Sequence, residues 1–263
     1  MRNSLFITTA LFAMGAISTA MAQEKQPYIS GAIGYGALGD SSNSGSFTED
    51  FPVGGTGGML DGATLPAGTP VGWETEFDGG FTGAVAFGLD KGFYRIEAEV
   101  AYSTNDVDTH SGVFAGEIAL DDVDAAVLIA AQTDPLEATT GTIVSDGQGE
   151  LQTTYLFANA YYDFLVEDSP IVPYIGAGLG VGFVNVEFSP SGVGIIDDDD
   201  TRFAYQAMAG ASFAATEQLS FFGEVSYRAT TDVEVEVDLF AGELEIENTN
   251  IIGEIGLRYN FGS

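Results

Sequence analysis

Residues 79–102 read Gly-Gly-Phe-Thr-Gly-Ala-Val-Ala-Phe-Gly-Leu-Asp-Lys-Gly-Phe-Tyr-Arg-Ile-Glu-Ala-Glu-Val-Ala-Tyr. Two alternating segments flank a polar turn, Asp90-Lys91-Gly92. Phe81, Gly83, Val85, Phe87 and Leu89 share one face of the first segment; Thr82, Ala84, Ala86 and Gly88 share the other. In the second, Tyr94, Ile96, Ala98, Val100 and Tyr102 oppose Arg95, Glu97 and Glu99. A period of two sends successive side chains to opposite sides of a sheet. The hairpin therefore has one greasy side and one small or charged side. In a water-soluble sheet the greasy side is core. In a membrane barrel it faces lipid, and the charged side faces the lumen.

The rest of the chain repeats the pattern. Strands are expected at 27–38, 151–164, 172–188, 201–215, 219–228 and 249–261, with the hairpin supplying two more. Residues 171–186 carry no charge, but Gly176, Gly178, Gly180 and Gly182 recur at period two, which marks a strand rather than a spanning helix. Between the strands, segments 39–78, 103–150, 189–200 and 230–248 read as long connections. The first two are expected as loops, with 125–131 a short helix or a strand extension. Segment 189–200 ends in Asp197-Asp198-Asp199-Asp200, and 230–248 reads as a projecting hairpin. The other three connections are a few residues each.

Arg2, an apolar run over 5–17 and Ala20-Met21-Ala22 form a secretory signal, so residues 1–22 are expected to be removed and 23–263 to form one domain. The chain has no Cys, which excludes disulfides and thiolate chemistry. After cleavage 39 acids face 6 Lys and Arg, a formal charge of −33. Such a chain is not a nucleic-acid binder. With 45% hydrophobic residues and 19 Phe it is not a disordered acidic chain either.

Charge placement separates the two barrel and sheet readings. The four long connections hold 7, 10, 4 and 7 acids, 28 of the 39, and no Lys or Arg. Arg95, Arg202, Arg228 and Arg258 all fall on strands, on the face opposite the apolar one, as do Glu97, Glu99, Glu224 and Glu254. A soluble sandwich would need a second layer to cover eight apolar faces, and no amphipathic helix supplies one. The pattern predicts a closed antiparallel eight-stranded up-and-down transmembrane β-barrel with long extracellular loops and short periplasmic turns. The eight charged residues are expected to form an internal lumen network. Tyr94, Tyr162, Phe164, Phe213, Tyr259 and Phe261 fall near the turn ends of apolar faces. Tyr35, Phe81, Tyr102, Phe183, Phe203 and Tyr227 fall near the loop ends, making two girdles.

Phe77-Asp78-Gly79-Gly80-Phe81, Arg95-Ile96-Glu97-Ala98-Glu99, the run 173–180 and Gly256-Leu257-Arg258-Tyr259-Asn260-Phe261 together resemble the eight-stranded outer-membrane β-barrel family. That group includes OmpA-like transmembrane domains, OmpX-like proteins and alphaproteobacterial surface antigens. The resemblance implies residence in a Gram-negative outer membrane, among its lipid and lipopolysaccharide. It also implies assembly by the barrel-assembly machinery, with Leu257, Tyr259 and Phe261 as the closing signal, here followed by Gly262 and Ser263.

No catalytic residue and no cofactor is expected. His110, the only His, sits among Asp106, Asp108 and Ser111, but a triad is defined by geometry and not by adjacency. Asp197, Asp198, Asp199 and Asp200 are weak candidates for a divalent cation and lack the spacing of a calcium loop. The function expected is structural or surface interaction, with an extracellular ligand that the sequence leaves unknown. A narrow pore is the alternative, and an outer-membrane enzyme a lesser one.

Overall fold

The computed structural model describes residues 26–56, 58, 60–130, 132–167 and 169–261. The expected signal segment and Gly262 and Ser263 lie outside the described residues. The strands in chain order are β1 Gln26–Leu38, β2 Ser41–Phe47, β3 Phe51–Pro52, β4 Thr64–Leu65, β5 Pro70–Phe77, β6 Gly80–Asp90, β7 Tyr94–Ala115 and β8 Ile118–Ala119. After a 3-10 turn, Ala125–Leu128, and one short helix, α1 Thr140–Val144, come β9 Gly149–Asp163, β10 Ile171–Phe188, β11 Ile196–Ala214 and β12 Leu219–Thr230. The last three are β13 Val233–Glu236, β14 Gly242–Ile246 and β15 Thr249–Asn260.

Eight strands form a ring. Each pairs antiparallel with both neighbours, in the order β1, β6, β7, β9, β10, β11, β12, β15 and back to β1. The opening hairpin is β6 and β7, closed at Asp90↔Arg95. Its turn needs Gly92 at φ +88, and the Gly92 amide donates to Asp90 Oδ1 at 2.7 Å. The outward face is apolar all round. Ile33, Phe81, Val85, Leu179, Val225, Ile255 and both expected aromatic girdles point away from the ring. The glycine face of β10 points in because its neighbours fill the space: a Cβ at Gly178 would overlap the Asn159 amide.

The strands continue past the ring, and here the structure corrects the sequence reading. Segments 39–78 and 103–150 are not loops throughout. β2 and β5 pair with each other, β5 pairs with the upper half of β7, and β14 adds β13 on the far side of β2. Residues 125–128 take the helical option, as a 3-10 turn. The Asp run is not a loop tip either, since Asp197 to Asp200 pair with β10 inside β11. The upper halves of β7, β9, β10 and β11 thus join β2, β5, β13 and β14 in a second enclosure stacked on the first.

The inward side chains change character with height. Along β9 they run Asp163, Tyr161, Asn159, Phe157, Tyr155, Thr153, Leu151. Along β10 they run from Tyr174 through four glycines to Val184, Val186 and Phe188. The lower interior is charged and the upper is an apolar core that includes Phe47, Trp73, Val186, Phe188, Leu244 and Ile246. Between them lies an amide layer. Asn250 Nδ2 donates to Asn105 Oδ1 at 3.1 Å, Asn105 Nδ2 to the Asp78 carbonyl at 3.0 Å, and Asn248 Nδ2 to Thr153 Oγ1 at 3.0 Å. The upper module is therefore an ordinary water-facing β-structure, apolar in and acidic out, on a ring of inverted polarity.

One joint in the upper module lacks a backbone ladder. Between β11 and β13 the ends are held by Thr231 N to Phe203 O, 2.9 Å, and Asp238 N to Ile195 O, 2.8 Å. In between, the Glu234 and Glu236 amides donate to Asp200 Oδ2 (3.0 Å) and Asp198 Oδ2 (2.9 Å). Two carboxylates stand in for two carbonyls and cover an otherwise open strand edge. Replacing both Asp198 and Asp200 by Ala should raise hydrogen exchange at Glu234 and Glu236 by at least about tenfold, one lost hydrogen bond each. Amides 204–214 in the ring should stay protected. Asn at both positions keeps the acceptors and should keep most of the protection.

Candidate functional site

The inward face of the ring brings seven of the eight expected charged residues together. Arg95 is 1% exposed and forms a bidentate pair with Asp163, Nε to Oδ2 at 2.8 Å and Nη2 to Oδ1 at 3.1 Å. Its guanidinium lies 4.3 Å and 4.8 Å from the ring centres of Tyr161 and Tyr174. The planar fork matches the carboxylate, and the aromatic faces supply the remaining electrostatic cover.

Glu97 accepts from Tyr28 Oη (2.7 Å), Tyr161 Oη (2.8 Å) and Asn159 Nδ2 (3.1 Å). Glu99 accepts from Asn159 Nδ2 at 2.9 Å, Arg228 Nη2 at 3.3 Å and Gln206 Nε2 at 3.4 Å. Arg228 also donates from Nε to Gln206 Oε1 at 2.9 Å, and Gln206 donates to Asn159 Oδ1 at 2.9 Å. Arg228 lies over Tyr155 and Phe157, and Arg258 over Tyr28 and Phe222. Glu224 and Glu254 are directly opposed in register, and Glu254 takes a 3.2 Å bond from Thr82. The interior cavity among these groups is about 20 Å³, room for about one water.

Arg202 is the exception and a correction. It shares the inward parity of β11 but lies above the ring, at the β11–β13 joint. Its partners are Asp200 and, at 3.1 Å, Glu234. The network's unforeseen members are Asp163, Tyr28, Asn159, Tyr161, Tyr155 and Gln206. Their signal was available, since each lies on the face opposite the apolar one of its own strand.

The Asp run does not form one cluster. Asp197 and Asp199 are exposed and point outward, while Asp198 and Asp200 serve the β13 amides. Among the described residues no group of three or more His, Asp or Glu is arranged to hold a metal. Nor do Asp108, His110 and Ser111 converge. Asp108 is exposed, whereas His110 is 2% exposed inside the upper module, its Nδ1 2.8 Å from Thr75 Oγ1. At the chain end Leu257, Tyr259 and Phe261 line up on the outward face of the ring, and the Phe261 amide donates to the Pro27 carbonyl at 2.9 Å.

A closed eight-strand ring, apolar outside and charged inside, with short turns at one end and a folded acidic module at the other, is an outer-membrane β-barrel. The model of a family described as surface antigen matches residues 68–260. The chain belongs to that family. It is 26% identical over 152 residues to major surface antigen 4 of Anaplasma marginale, an alignment covering 58% of this chain and 47% of that protein, so the match spans about half of the relative. Among solved structures, the outer membrane protein OprG of Pseudomonas aeruginosa shares the fold. Its TM-score is 0.52 at 14% identity, covering 90% of this chain and 96% of that one. Neisserial surface protein A aligns over 89% and 97% at 15% identity with a TM-score of 0.43.

Replacing Arg95 by Leu strands the buried Asp163 carboxylate and should cost about 3–5 kcal/mol. Replacing Arg202, which is partly exposed and pairs with an exposed Glu234, should cost under about 1 kcal/mol. Urea unfolding of the two variants refolded in lipid vesicles, followed by the β-sheet circular dichroism signal and by the heat-sensitive gel shift, checks the contrast.

Proposed function

We propose that the protein is a non-catalytic surface scaffold whose barrel is plugged and whose folded acidic module meets the exterior. The observation that carries this reading is the filled interior. Arginine, carboxylate, amide and tyrosine side chains leave a cavity of about 20 Å³ in the ring, and the apolar core of the module sits above them. So small a cavity supports a barrel without a water-filled path for solutes. Planar-bilayer recording of the purified protein should give no steady single-channel conductance at neutral pH. A steady conductance would overturn the plug and favour the narrow-pore reading. Among the described residues no assembled catalytic constellation supports the enzyme reading. A deletion strain should keep its lipid A and outer-membrane protein profiles.

In this reading residues 1–22 are removed on export. The barrel-assembly machinery receives the chain through Leu257, Tyr259 and Phe261, and outer-membrane lipid and lipopolysaccharide surround the ring. The module's outer wall places like charges directly opposite one another, at Glu234↔Glu245, Glu236↔Glu243 and Glu187↔Asp197. Such pairs destabilise a sheet unless screened. Mobile divalent cations are the screening partners we assign to this wall, and the extracellular ligand is a molecule that tolerates or carries positive charge. Millimolar Mg²⁺ or Ca²⁺ should raise the module's melting temperature. A melting temperature indifferent to both ions and to salt contradicts the assignment.

A further inference from the structure

His110 is the only imidazole in the chain, and it lies in the apolar core of the extracellular module. It stands on β7, where the β5–β7 ladder slips register, so Val107 and His110 both face inward though three residues apart. Asn43 Nδ2 donates to Thr75 Oγ1 at 2.6 Å, and the Thr75 hydroxyl shares a hydrogen bond with His110 Nδ1 at 2.8 Å. The other ring nitrogen, Nε2, is buried with no hydrogen-bond partner, as is Trp73 Nε1. Both residues line one small cavity of about 20 Å³, walled by Val113, Leu128, Val144 and Phe240. Phe188 stacks edge-on against the imidazole at 4.9 Å and Trp73 at 6.3 Å.

Among the described residues no carboxylate is in hydrogen-bond contact with this ring. On β5, Glu74 and Glu76 point outward, as do Asp106 and Asp108 on β7, Glu187 on β10 and Asp238 beside Leu239. Asp121 accepts from the Val113 amide and Asp124 from the amides of Ala126, Leu136 and Glu137; Asp122 is exposed. Asp146, exposed in the turn after α1 and bonded to the Ser191 amide, is the one acid whose charge reaches the ring. A protonated imidazole at this place has two donors, one acceptor-poor cavity and no counter-ion in contact. Burying an unpaired charge in apolar surroundings is among the costliest changes a core can undergo.

We propose that His110 is an acid trigger of the extracellular module: protonating its ring opens the module's apolar core while the barrel beneath remains folded. Burial pulls the imidazole down to about 4, with Asp146 offsetting part of the effect. An unfolded histidine titrates near ~6.5. Above that pH both states are neutral and the module keeps its full stability. As the pH falls from about 6.5 towards 4, the opened state takes up the proton first and the closed state loses ground. The barrel has no histidine, and any response of its buried carboxylates is read separately by its gel mobility. Most surface carboxylates are still ionised in the upper part of this window, so a change confined to the module and lost with His110 belongs to the imidazole.

Trp73, the only tryptophan, lies beside the ring and reports the event directly. In the refolded full chain, Trp73 emission followed from pH 7.5 to 4.5 should shift to the red with a midpoint below 6.5, and trypsin-independent proteases should begin to cut within 103–150. The unheated gel mobility of the barrel should not change. His110→Gln keeps a partner for Thr75 without a titrating ring and should abolish the shift in this window. Superimposable pH profiles for the wild type and His110→Gln overturn the proposal, and so does simultaneous loss of the barrel's gel mobility. If His110→Gln fails to fold, hydrogen exchange of the wild type decides. After correction for intrinsic rates, at least tenfold faster exchange over 71–77 and 107–115 at pH 5 than at pH 7, with 204–214 unchanged, supports the trigger. Equal protection at both pH values overturns it.

Discussion

Backbone hydrogen bonding in hydrocarbon is the constraint on which everything else rests. A strand in lipid cannot leave its amides and carbonyls to water, at a cost of several kcal/mol per group. The ring meets that demand by pairing β1 with β15 and β7 with β9, so no edge remains. Once the ring closes, period two does the rest. One parity must be apolar and face lipid, and the other is confined to a space too narrow to hold much water. Charges placed there must neutralise one another, and Arg95 with Asp163 and Arg228 with Glu99 do so.

Above the membrane the constraint relaxes and the polarity inverts. The same strands that show Arg95 and Glu99 to the interior lower down show Val107 and Val113 to it higher up. Water is now outside, so the acids move outward and the apolar residues inward. The amide layer of Asn105, Asn248 and Asn250 lies where the two regimes meet, bridging a charged interior to a dry one. The two carboxylates of Asp198 and Asp200 close the last joint of the module, which explains part of a charge run that otherwise reads as simple solubility.

The eight ring strands and their faces were legible in the sequence because lipid on one side and a lumen on the other impose clean alternation. The upper module was not. In β2, Ser41 and Asn43 are buried polar residues satisfied by Thr75 and by each other, so no apolar parity marks the strand. On β7 the register slip puts Val107 and His110 on the same side and breaks the period where the module begins. Four consecutive aspartates carry no parity at all. Arg202 shows a different limit: alternation gives the face a residue occupies and not its height, so a residue of lumen parity can still sit above the lumen.

Because the chain has no native cysteine, closure can be tested with one engineered pair. Ile33 and Ile255 face each other across the β1–β15 joint, at the two ends of the chain. With both changed to Cys in the refolded protein, mild oxidation should join them in high yield. A pair placed across the ring, Ile33→Cys with Ala158→Cys, should not join. Failure of the first pair, or equal cross-linking of both, would contradict the closed eight-stranded ring.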